Sequence, residues 1–124
     1  PKGQFSTTLL VVTTSFLQSH ASVVTGLLKG QVATTAFLTS QPSAAAQDAN
    51  TQLATLTGKA LKANELTAAW GDMTFTNDPI ASSILADLQH AKAAGFPTKS
   101  ITGIFDLGPL DHVLAAQGKA PVAA

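Results

Sequence analysis

The sequence has no cysteine, no arginine and few charges of either sign. Without cysteine there is no thiolate metal site, no disulfide staple and no cysteine nucleophile. Seven lysines face seven aspartates and glutamates, so the formal net charge is zero. A neutral chain without arginine lacks the basic face that nucleic acid demands and the cationic cluster that holds a protein to anionic membrane. Charged residues make up 11% of the chain, against about 25% in an average soluble domain. The polar surface must therefore come from Thr, Ser, Gln and Asn. No apolar run approaches the ~20 residues of a membrane-spanning helix.

The motifs of common chemistries are missing as well. There is no Gly-x-Ser-x-Gly elbow, no Gly-x-Gly-x-x-Gly and no phosphate-binding loop. The histidines, His20, His90 and His112, stand in no His-x-His or His-x-x-x-His pair. His90 falls near the end of an expected helix, where a cation suits the helix dipole. Asp72 with Asp78, and Asp106 with Asp111, are the carboxylate pairs available for acid–base work. In each pair one member reads as a helix cap. The aromatic residues, six Phe and Trp70, are scattered and form no stacking platform. Trp70 beside a helix end reads as core. The residues support no enzymatic activity, no cofactor and no metal.

What is present is patterned. "PKGQFS" is turn-like, and "TTLLVVTTSF" is a dense block of β-branched and apolar residues. Such a block predicts a strand buried on both faces, as in a parallel sheet. A helix is disfavoured there by Thr7, Thr8, Val11, Val12, Thr13 and Thr14. A first helix is expected from about Ser19, with Val24, Leu27, Leu28, Val32 and Ala36 as its buried stripe. Gly26 and Gly30, one turn apart, predict a close approach by another backbone. Pro42 opens a second helix, with Ala45, Ala46, Ala49, Leu53 and Leu56 inward, that stops at Gly58. A third covers about Ala63 to Trp70, followed by the extended "MTFTNDP". Asp78 is expected to cap a fourth helix whose first residue is Pro79, striped by Ile80, Ile84, Leu85 and Leu88 and ended by Gly95. A last helix runs from about Leu107 to Gln117, with Gly118 as its stop, and "KAPVAA" is a tail. The expected sum is about five helices with one buried strand and a second short one at most.

A lone buried strand leaves its backbone groups unpaired, at about 1–3 kcal/mol each. The expectation is therefore that other polypeptide supplies the rest of the sheet. Pro1, in place of an initiator Met, is read in the same sense, as the start of a trimmed chain or of a piece of a longer one.

The order "GQFSTTLLVVTTSFLQSH", "VVTGLLKGQVATTAFLTSQPSAAAQ", "MTFTNDPIASSI" and "GIFDLGPLDHVLA" resembles the C-terminal half of the substrate-binding proteins of ABC importers in the nitrate, sulfonate and taurine group. The resemblance covers about Gly3 to Ala120. His20 is followed by Ala21 where similar proteins often carry proline, which leaves the helix start intact. The resemblance implies an α/β fold of the periplasmic-binding-protein type, with solute held between two lobes that close about a hinge. It implies that residues 1–6 are the interlobe crossover or hinge, that 7–120 are the C-terminal part of the first lobe, and that 121–124 are a tail. Gln4, Phe5, Ser6 and Thr7 would then lie nearest the ligand cleft. It further implies a small anionic solute (a sulfonate, taurine or nitrate), no cofactor, an ABC permease as membrane partner, a missing N-terminal half and an extracytoplasmic location.

A different class of function is a self-standing helical interaction domain whose neutral, alanine-rich helices mediate partner or self-association. If the N-terminal half is absent, the stripes on Val24, Leu28, Val32, Ile84 and Leu88 lack a cover. Apolar patches beyond ~600 Å² then favour self-association.

Overall fold

The computed structural model describes residues 3–122. Six helices occur in chain order: α1 (Thr14–Ser19), α2 (Ala21–Ser40), α3 (Pro42–Thr57), α4 (Ala63–Gly71), α5 (Ala81–Ala93) and α6 (Gly108–Ala115). Among the described residues there is no strand, which overturns the expected α/β class. The described chain is all-helical. Two compact units are distinguishable among the described residues: residues 3–29 with 77–122, and residues 30–76.

The expected strand at Thr8 to Ser15 is replaced by two things. Residues 7–13 lie outside any regular element, and Thr14 already belongs to α1. The helix starts there because the Thr13 hydroxyl accepts the Phe16 N–H at 3.1 Å, satisfying one of the donors that a first turn leaves open. Ahead of it the run is solvent-facing, with Leu10 53% and Val11 77% exposed. Thr7 to Val12 make no hydrogen bond within the described residues. β-Branched residues hold the backbone out of a helix, but a strand needs a neighbour, and no other segment among the described residues offers one. From Gly3 to Leu28 the chain also carries no Asp, Glu, Lys or Arg.

Helix ends follow local chemistry. His20, with φ −133 and ψ 37, breaks the chain between α1 and α2, so the helix expected from about Ser19 is α2, and α1 ahead of it was not expected. α3 begins on Pro42 and stops at Gly58, whose φ of 79 is the left-handed geometry that glycine adopts without a side-chain clash. α4 gains its first turn from Glu65, whose Oε2 accepts the Lys62 N–H at 3.1 Å. α5 begins at Ala81, not at Pro79, because Ile80 takes a left-handed conformation ahead of it. α6 is shorter than its apolar pattern suggests, ending at Ala115. The tail from Pro121 is tied down at Val122, whose N–H donates to Asp111 Oδ1 at 2.9 Å. The hinge assignment at Pro1 and Lys2 and the tail assignment at Ala123 and Ala124 lie outside the described residues.

Each unit has a small apolar interior. In the first, Val24 of α2 and Leu110, Val113 and Leu114 of α6 are buried, with Ser83 of α5. In the second, Val32 and Thr35 of α2 and Ala45 and Ala46 of α3 are buried. The stripe read along α2 holds at Val24 and Val32, while Leu27 on the same helix is 50% exposed. Leu56 on α3 and Leu85 on α5, both expected inward, are exposed as well. A Cβ built at Gly26 or Gly30 would meet nothing within 4 Å. The close backbone approach expected at those glycines is thus absent.

Candidate functional site

The residues nearest the expected cleft are Gln4, Phe5, Ser6 and Thr7. Gly3, with φ 77, turns the chain just before them. Phe5 projects outward, 68% exposed, and Gln4 and Thr7 are exposed too. Ser6 is half-buried and differs from the others in being bonded far along the chain. Its N–H donates to Ser83 Oγ at 3.3 Å, and its hydroxyl donates to the Pro79 carbonyl. The structure therefore brings Ser6 to the turn before α5. Phe5 and Thr7 keep surface available to a ligand.

That turn is Asp78-Pro79-Ile80. Asp78 Oδ1 accepts the Ile80 N–H at 2.7 Å, a local loop closure rather than a helix cap. Two of the other carboxylates are also engaged with the backbone. Asp106 Oδ1 accepts the Gly108 N–H at 3.2 Å at the start of α6, and Asp111 holds Val122. Asp72 follows the last residue of α4. None of these contacts joins the two members of a pair.

The histidines are separate from one another in role. His20 stacks on Phe16, with ring centroids 4.7 Å apart and planes 10° apart, and its Nδ1 lies 2.7 Å from Ser19 Oγ. The Ser19 hydroxyl donates to the Ser15 carbonyl at 2.7 Å, which spends its proton. An imidazole Nδ1–H donor to Ser19 fits that pattern. A serine whose proton points to a backbone carbonyl, on an exposed helix end, is not poised as a nucleophile. His90 and His112 lie in the last turns of α5 and α6, where a positive charge complements the carbonyl end of a helix. Among the described residues no group of three or more His, Asp or Glu could hold a metal ion.

Two concavities remain. In the second unit, α3 and α4 pack on one another and leave a cleft of about 630 Å³, lined among others by Gln47, Asn50, Leu66 and Trp70. Trp70 also meets Phe75, with ring centroids 4.9 Å apart. The loop that closes this end is clamped by Asn50. Its Nδ2 donates to the Leu61 carbonyl at 3.0 Å, and the Leu61 N–H donates to its Oδ1 at 2.8 Å. This two-point amide clamp has no signature in the sequence, because the partners are a mid-helix asparagine and the backbone of a loop eleven residues away. In the first unit, a shallower hollow of about 310 Å³ lies between Leu85 and Leu88 of α5 and the loop at Ser100 to Phe105. Its walls are mostly apolar. Neither concavity presents a charged side chain, so neither is a ready-made anion pocket.

No protein family, curated protein or solved structure matches the chain.

Proposed function

We propose that this chain is part of the solute-binding component of an ABC importer for a small anionic solute of the sulfonate, taurine or nitrate class. The sequence order resembling that group is one support. The structural observation that carries the reading is uncovered apolar surface. Thr7 to Val12 lie unbonded, Thr7 to Val11 of them exposed, and α2 turns Val23 and Leu27 outward. A helix apolar on more than one side is built to be buried against further polypeptide. In this reading the covering polypeptide is the remainder of the binding protein. Phe5 and Thr7, which have exposed side chains, offer solute contacts from the crossover, and Ser6 positions them. No strand within this chain is part of the proposal.

The test is titration calorimetry of taurine, an alkanesulfonate and nitrate against the protein as its gene encodes it. Saturable binding of one of them, weakened by Phe5→Ala or Thr7→Ala, is the expected outcome. Absence of heat with all three solutes sinks the reading.

A second reading is favoured by one observation, the absence of any strand among the described residues. In it, the chain is a helical interaction domain in its own right, and its exposed apolar run joins a partner or a second copy. Light scattering separates the two. The interaction domain gives a defined, concentration-dependent oligomer with no solute dependence, whereas the importer component responds to solute.

A further inference from the structure

The turn before α5 disagrees with its own sequence. Asp-Pro is the signature of a helix start, with aspartate capping and proline in the first turn. Yet Ile80 sits at φ 52 and ψ 59 and α5 waits until Ala81. Ile80 is the one non-glycine residue of positive φ among the described residues, and a β-branched side chain is strained there. The bonds around it show what opposes a regular start. The Ser83 N–H donates to the Ile80 carbonyl at 2.8 Å, three residues back. In a helix that began at Pro79, the same N–H would donate to the Pro79 carbonyl, four residues back. Here that carbonyl accepts the Ser6 hydroxyl instead. Ser6 also donates its N–H to Ser83 Oγ, on a side chain that is fully buried.

We propose that residues 78–83 form a two-state switch latched by Ser6. In the latched state Ser6 holds the Pro79 carbonyl, Ile80 is left-handed and α5 starts at Ala81. In the released state Pro79 and Ile80 join the helix, Asp78 keeps the Ile80 N–H as its cap bond, and the Ser83 amide takes the Pro79 carbonyl. Ser6 then comes free of α5. Ile80 cannot be left-handed and helical at once, so the two states exclude each other. The latched state keeps both Ser6 bonds and bears the strained residue; the released state trades them for one helical bond and a relaxed isoleucine. Anything that pulls on the N-terminal segment therefore lengthens α5, and anything that caps α5 frees the segment. All of these residues belong to the first unit. The switch is a property of this turn, so a failed solute titration leaves it standing.

The test compares Ile80→Gly with Ile80→Ala, each made alone and together with Ser6→Ala. Both remove everything beyond Cβ and differ by that one methyl, so their difference chiefly reports backbone conformation. Glycine is favoured at positive φ and alanine within a helix. With Ser6 present, Ile80→Gly is expected to melt above Ile80→Ala by roughly 4 °C, and with Ser6→Ala the order reverses. The same order in both backgrounds overturns the switch. In the otherwise unaltered chain, Ile80 should give the strong intraresidue HN–Hα cross-peak of a positive φ, and Ser6→Ala should abolish it. Its persistence also overturns the switch. Ser83→Ala cuts the second Ser6 bond and keeps the Ser83 amide; if Ser6→Ala does not fold, Ser83→Ala should narrow the gap between Ile80→Gly and Ile80→Ala, and an unchanged gap overturns the switch.

Discussion

Gly26 and Gly30 show what a single residue can and cannot tell in advance. Their spacing places them on one face of α2, which the sequence makes plain, but whether anything lies against that face depends on the rest of the fold. An added Cβ at either position has open space around it. Gly26→Ala and Gly30→Ala should therefore each stabilise the chain by about 0.5–1 kcal/mol, through lower backbone entropy in the unfolded state. Urea unfolding followed by circular dichroism measures this, and a loss of stability would mean that some other polypeptide occupies that face. Gly58 is the opposite case. Its φ of 79 was readable from its place after the last apolar residue of α3, and Gly58→Ala should cost about 1 kcal/mol in the same assay. Asn50 could not be read at all. Asn50→Ala removes both bonds to Leu61 and leaves its N–H and carbonyl to solvent, at an expected cost of about 1–2 kcal/mol. Asn50→Asp, which keeps only the acceptor, should fall between.

Among the elements, the helices were legible because their signals are local. Pro42, Gly58, Gly95 and Gly118 mark starts and stops that depend on nearest-neighbour backbone geometry, and each falls at or just beyond a helix end. The strand was misread because half of its evidence is non-local. Threonine and valine do keep residues 7–13 out of a helix, but pairing requires a partner that the described chain does not provide. α1 was missed for a related reason, since six residues of "TSFLQS" carry no stripe and depend on one capping hydroxyl. Thr13→Ala should unwind α1 at a cost of about 1 kcal/mol. Faster amide exchange at Phe16 and Leu17, with α2 unchanged, is the expected record of that loss. The Asp78-Pro79 start was misplaced because the local signal is outweighed by Ser6, 73 residues away along the chain.

For the molecule as a whole, the composition fixes what kind of surface is possible. With charges so few, solubility rests on threonine, serine, glutamine and asparagine, and the apolar side chains that remain outside have little to screen them. Self-association through the exposed run is the expected behaviour of the chain on its own. Leu10→Lys or Val11→Lys should shift it toward monomer in size-exclusion chromatography with light scattering, and an unchanged profile would locate the contact elsewhere. The proposed solute site was only partly legible. Residues 4–7 could be named from a resemblance, but their surroundings come from α5, and no periodicity in the sequence announces that Ser6 would reach Pro79 and Ser83.

The charge-free stretch from Gly3 to Leu28 has a further effect on the material itself. Natural proteins commonly flank such segments with lysine, glutamate or proline as gatekeepers, and none stands within Thr7 to Val12 or directly beside it. Six residues that are uncharged, proline-free, rich in β-branched side chains and open to solvent are enough to seed a steric zipper. Aged or agitated samples should accordingly develop thioflavin fluorescence and the ~4.7 Å fibre reflection, starting from this hexapeptide, while freshly prepared protein remains helical.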